Sequence, residues 1–164
     1  MHKVINNLED FISLSKEKSL NDLVIKNIEI SNWVPERRQI IDTNFQNCKF
    51  IGGENTFLQT IFKNVSFLNC ELDGVLFNSS SLTKSRFTNT NLNKCKFERN
   101  MWNDVLFYNC VVLGCDLSNE LLIGCKFEYG EFKGNNVEGL KHRESGQLFD
   151  NALYSDNYGT MKNI

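Results

Sequence analysis

Proline is almost missing from this 164-residue chain and histidine nearly so: there is one Pro, and His2 and His142 are the only imidazoles. The longest apolar runs are a few residues, far below the roughly 20 needed to cross a bilayer. Met1-His2-Lys3 leads into a mixed polar segment and not into the apolar stretch of a secretion signal, so a cytoplasmic location is expected. A formal net charge of −2 lacks the basic excess of a dedicated nucleic-acid binder, and no direct nucleic-acid contact is expected. Ten Gly and one Pro beside thirteen Phe exclude collagenous, proline-rich and disordered chains. The length suits one domain with a continuous core.

What is present is a repeat of period five. Phe62, Phe67, Leu72, Phe77, Leu82, Phe87, Leu92, Phe97, Trp102, Phe107, Val112, Leu117, Leu122, Phe127, Phe132 and Val137 follow one another at that interval without a slip. Neither an α-helix, with its period of 3.6, nor a flat strand, with its period of 2, generates this spacing. Two residues before each lies a second, mostly small series, for example Thr60, Val65, Cys70, Val75, Ser80 and Ser85. Between these positions the residues are mainly polar. Each unit therefore points two residues inward, one large and one small, and three outward.

The units Asn-Thr-Asn-Leu-Asn around Leu92 and Cys-Lys-Phe-Glu-Arg around Phe97 resemble the pentapeptide-repeat family. The resemblance implies an all-β solenoid: a right-handed quadrilateral β-helix with one pentapeptide per side and four per coil. Residue i then stacks on i+20, which makes Phe67, Phe87, Phe107 and Phe127 an all-Phe ladder. Followed upstream, the register shows two apparent breaks. Gly53 and Glu54 look inserted before Phe57; Leu23, Ile28 and Trp33 are again five apart, with Glu36 and Arg37 as a second insertion before Ile40. The β-helix is expected over 21–139, as five to six coils about 25 Å tall at about 4.8 Å per coil.

Residues 1–20 are expected to form a short N-terminal α-helical cap. Val4, Leu8, Phe11 and Ile12 share one helical face, and the polar face is not basic enough for a membrane-surface helix. Residues 140–164 read as a C-terminal cap or tail, with Leu148, Leu153 and Tyr158 keeping the spacing of five. A tail that pairs with a second copy of the chain is an open alternative, since the family often dimerises end to end.

All six cysteines (Cys48, Cys70, Cys95, Cys110, Cys115 and Cys125) occupy the small inward slot, where a thiol serves as a small hydrophobe. None has the close spacing of a zinc knuckle, so no metal and no cofactor is expected. Both histidines lie outside the repeat register, nothing in the sequence holds one against a nucleophile, and there is no phosphate-binding or dinucleotide motif. Glu120 and Asn100 are the unusual inward residues, read as turned outward or hydrogen-bonded to coil backbone. No enzymatic activity is expected.

Function then falls to the outer surface. Residues 80–99 carry Lys84, Arg86, Lys94, Lys96 and Arg99 against Glu98. Apolar residues crowd outward positions in the next two coils: Met101, Leu106, Tyr108, Val111, Leu113, Leu121, Ile123 and Tyr129. Such a patch marks a partner-binding surface unless the C-terminal tail folds back over it. The expected function is a non-enzymatic, bacterial binding protein whose rigid prism presents a surface to another protein, with no membrane role. The family resemblance adds DNA mimicry that protects DNA gyrase from antibiotics, and an effector or toxin-neutralising role is a third reading.

Overall fold

Every pentapeptide of this chain turns a corner, and the backbone shows how. The computed structural model describes residues 2–51, 54–143 and 146–164. Left-handed residues recur every five positions, from Asp22, Asn27 and Asn32 to Asn47, and again from Gln59 through Asn89, Lys94, Arg99 and Asp104. Each ends one short strand and starts the next side. Asparagine suits such corners, because its short polar side chain tolerates the conformation and can bond locally. Here Asn47, Asn69, Asn89 and Asn109 each donate an amide N–H to the asparagine one coil below, at 2.9–3.2 Å, down to Asn27.

The sides are parallel sheets, and the chain visits them in order. Side 1 stacks Lys3–Ile5, Leu23–Lys26, Asn44–Gln46, Ser66–Leu68 and Arg86–Thr88, then the first halves of Leu106–Leu113 and Lys126–Lys133, then Phe149–Asp150. Side 2 stacks Glu29–Ile30, Lys49–Phe50, Glu71–Asp73, Asn91–Asn93, the second halves of the same two long strands, and Leu153–Ser155. Side 3 is Thr56–Leu58, Leu76–Asn78 and Lys96–Glu98, continued by single bridges through Asp116, Asn136 and Tyr158. Side 4 runs from Ser19–Asn21 through Gln39–Ile41, Ile61–Lys63, Ser81–Thr83, Met101–Asn103, Leu121–Ile123 and Leu140–Arg143 to Met161–Asn163. The result is a pentapeptide-repeat β-helix of about eight turns with one short helix among the described residues. At about 4.8 Å per turn it stands about 38 Å tall.

The core is the expected set of rungs. Phe67, Phe87, Phe107 and Phe127 stack with ring centroids 4.4–4.8 Å apart and planes within 7°. Phe45 and Phe149 extend the ladder at either end. The small slot has a second task. Polar side chains there accept a hydrogen bond from the slot N–H one coil earlier: Thr60 to Ser80, Val65 to Ser85, Cys70 to Thr90, Ser80 to Asn100. Buried backbone donors at the corners are thereby paired, which explains why Ser, Thr and Asn occur inside an apolar core.

Four expectations about the ends are corrected. Upstream there is no break at Glu36 and Arg37, because Ser19–Asn21 pairs with Gln39–Ile41 and Glu29–Ile30 with Lys49–Phe50 at an offset of 20. Leu20, Ile25, Ile30, Pro35 and Ile40 are the central rungs, and Leu23, Ile28 and Trp33 fill the small slot. These are larger than slot residues elsewhere, so a reading based on size picks the wrong series. The second break is real: pairing across it jumps to 22, as in Phe50 with Leu72, although Gly53 lies outside the described residues.

The helix spans only Leu8–Leu14 of the cap expected over 1–20. Val4 belongs to strand Lys3–Ile5, which already pairs with the first full coil, so stacking begins before residue 21. Asn7 caps the helix, its side chain accepting from the Asp10 N–H at 2.9 Å, with Glu9 and Asp10 favourably placed in the first turn. Phe11 alone is buried, edge-on against Trp33 at 4.9 Å; Leu8 and Ile12 stay exposed. Residues after 139 continue the coils. Their rungs are Phe149 and Tyr154, over Phe127 and Phe132, and not Leu148, Leu153 and Tyr158, because the pairing offset is again 22. The tail therefore stacks as a further turn and does not fold back over the outer surface.

Candidate partner-binding surface

The eight outward apolar residues occupy three adjoining sides. Met101, Leu121 and Ile123 lie on side 4, where Met101 pairs in register with Leu121. Leu106 and Tyr108 lie on side 1, Val111 and Leu113 on side 2, and Tyr129 at the corner between them. Tyr108 and Tyr129 meet edge to face at 5.4 Å. Exposure is 63% at Met101, 50% at Tyr129, 41% at Tyr108, 40% at Leu113 and 37% at Leu121, whereas Leu106, Val111 and Ile123 are half-buried. The structure thus divides the set into a side 4 group and a group around the corner of sides 1 and 2.

The cations of residues 80–99 do not form a patch. Arg86 sits on side 1, Lys96 on side 3, and Lys84, Lys94 and Arg99 at three different corners.

Beside Leu121 in the chain lies the one acidic side chain buried in the core among the described residues. Glu120 is 1% exposed and closes the column Thr60–Ser80–Asn100. Its Oε2 accepts from the Trp102 indole N–H at 2.7 Å, and both carboxyl oxygens accept from the Asn100 N–H at 3.1–3.2 Å. Of the two options expected for Glu120 and Asn100, hydrogen bonding inside the coil is the one realised. Asn100 also donates to the Phe77 carbonyl at 3.0 Å. Burial raises the Glu120 carboxyl above its ordinary 4.5, and the indole and backbone donors only partly offset it.

The folded chain therefore holds this proton more tightly than the unfolded chain. Its favourable contribution is present at low pH and is lost as pH rises from 4.5 through the raised folded value. Glu120→Gln is expected to gain stability relative to the parent along that rise, read as the difference between their urea midpoints across pH. A difference independent of pH would contradict it.

The thiols are buried, and no disulfide joins them. Cys110 donates to the Phe87 carbonyl at 3.3 Å, and burial pushes it up to about 11. The neighbouring thiol and then burial raise Cys70 and Cys95. These raised thiols are poor nucleophiles, while the same thiol–thiol contacts lower their partners Cys48 and Cys115. Among the described residues no cluster of three or more His, Cys, Asp or Glu is placed to hold a metal ion. No helix among them is long and apolar enough to cross a membrane.

With this geometry established, comparison with known proteins agrees. The profile described as "Pentapeptide repeat region" matches residues 39–117, so the repeat region of this chain is similar to the pentapeptide-repeat family. Pentapeptide-repeat proteins are generally structural or binding proteins, and the matches indicate no enzymatic family. A trypsin-treated form of QnrB1, a plasmid-mediated fluoroquinolone resistance protein, is 17% identical, covering 89% of this chain and 92% of that one with a TM-score of 0.42. Rfr23 from the cyanobacterium Cyanothece 51142 is 11% identical over 93% and 98%, with a TM-score of 0.32. HetL of Nostoc sp. strain PCC 7120, involved in heterocyst differentiation regulation, is 12% identical over 92% and 94%, with a TM-score of 0.26. No curated protein matches the sequence.

Proposed function

We propose that this chain is a non-enzymatic binding protein that presents the outer surface of residues 101–129 to another protein. The observation that carries the reading is the exposure of Met101, Tyr108, Leu113, Leu121 and Tyr129 within two successive coils. Exposed apolar residues gathered in this way commonly mark an interface. The backbone beneath them is held by stacked rings and paired slot donors, so little ordering entropy opposes association. The interior is filled from side to side by Phe, Leu and Trp, which leaves the outside as the working surface.

Gyrase protection and toxin neutralisation are narrower forms of this reading, in which the prism fills a partner's groove. A DNA mimic needs acidic charge along its length. Lys84, Arg86, Lys94, Lys96 and Arg99 interrupt any such stripe in mid-molecule. A supercoiling assay with and without a quinolone separates that form from the general one.

The test is affinity capture with the purified chain. Leu106→Asp and Tyr108→Ala are each expected to abolish capture of the partner while circular dichroism shows the fold retained, with an unfolding cost below about 1 kcal/mol at the exposed Tyr108 and a larger one at half-buried Leu106. Capture retained by both variants would remove this surface. Light scattering on the same samples reads whether the partner is a second copy.

A further inference from the structure

Charge in this molecule sorts by side, a pattern invisible when the sequence is read coil by coil. Stacking at an offset of about 20 places residues far apart in sequence on one strip. Side 3 presents Glu36, Glu98, Asp116 and Glu138 against Lys96 alone. Side 4 is the opposite. Its outward strand positions carry Lys63, Lys141, Arg143 and Lys162 and no acidic residue at all, in a chain whose net charge is −2.

We propose that side 4 is the docking face for an acidic polypeptide segment that also carries apolar side chains, lying along the helix axis. This rests on the binding reading above and names the chemistry of the partner. Two registers define the strip. Met101 pairs with Leu121, Leu121 with Lys141 and Lys141 with Lys162; beside them Asn103 pairs with Ile123 and Ile123 with Arg143. Successive rungs are about 4.8 Å apart, so an apolar half passes into a basic half within one short segment's reach. Met101, Trp102, Leu121 and Ile123 line a cleft of about 60 Å³, room for the tip of one aliphatic side chain.

Among the described residues no salt bridge reaches the basic half. Lys141 and Lys162 are direct neighbours on adjacent strands, a like-charge pairing that destabilises a sheet. Among the described residues the salt bridges lie elsewhere, at Arg37–Glu36, Lys49–Glu71, Lys126–Glu128 and Lys133–Asp156. An external carboxylate relieves that repulsion, and an apolar side chain beside it covers Met101 and Leu121. A nucleic acid meets the first requirement and not the second. An apolar strand without acids meets only the second.

The experiment is fluorescence anisotropy on the full chain with three labelled peptides: one of Glu, Asp and Leu, one with Lys in place of the acids, and one acidic but without Leu. The acidic Leu-containing peptide is expected to bind, the basic one not, and the Leu-free one about tenfold or more weakly. Lys141→Glu with Arg143→Glu is expected to cost about tenfold or more and to flatten the salt dependence, with the melting curve by circular dichroism showing the fold retained. Met101→Asp is expected to weaken the same peptide. Equal binding of the Leu-free peptide or of a DNA oligonucleotide overturns the proposal in favour of plain polyanion attraction. Unchanged affinity in both side 4 variants, with capture still lost in Tyr108→Ala, overturns it while leaving the binding reading intact. Capture untouched by any of these substitutions sinks the reading itself.

Discussion

Replacing Phe87 by Ala is expected to lower the unfolding free energy by about 3–5 kcal/mol, the range for deleting a fully buried aromatic ring. Phe87 is 0% exposed and lies between Phe67 and Phe107, each at 4.8 Å and within 4° of parallel. Both neighbours are tied to the strand rungs on either side, so the ladder cannot close over the space a ring leaves. Urea unfolding followed by far-ultraviolet circular dichroism measures the loss. Phe149, half-buried at the end of the same ladder, provides the comparison: its truncation removes fewer contacts and should cost clearly less. A loss below about 1 kcal/mol at Phe87 would mean that the rung relaxes, contrary to the close packing of protein interiors.

Gly130→Ala is expected to cost about 3 kcal/mol or more. A Cβ there would stand 2.1 Å from the Cys110 carbonyl oxygen and 2.6 Å from the Cys110 nitrogen, both backbone atoms that belong to the paired long strands. The residue also has φ +79, directly after Tyr129 at φ +59, so the added methyl brings left-handed strain of about 1 kcal/mol together with the clash. Gly74 isolates the two effects. It has φ +66 and nothing within 4 Å of a new Cβ, so Gly74→Ala is expected to show the backbone strain alone. Denaturant midpoints and amide exchange at Cys110 and Glu131 read the comparison. Equal losses at the two glycines would contradict the clash.

The middle of the fold was legible because one spacing is kept without interruption from Phe62 to Val137 and because Phe fills so many rungs. The first coils misled because Trp33, Ile28 and Leu23 are as large as rung residues. Under the helix the small slot has room for them, and only strand pairing separates the two inward series. At the other end Leu148, Leu153 and Tyr158 repeat as neatly as the true rungs Phe149 and Tyr154, and the offset of 22 decides between them. The apolar outward residues were legible one by one; their division between side 4 and the corner of sides 1 and 2 was not. The basic half of side 4 emerged only from strand pairing, which makes Lys141 a neighbour of Leu121 on one side and of Lys162 on the other.

Arg37, Lys84, Lys94, Arg99 and Tyr129 all hold the left-handed corner, with φ between +50 and +59. Glycine or asparagine would adopt that conformation at about 1 kcal/mol lower cost at each. A redesign scored on foldedness alone would erase these side chains before any others, and with them four of the charges that stand at the prism's edges. Durability and surface identity therefore pull against each other at the corners, while along the flat sides the two can be tuned separately.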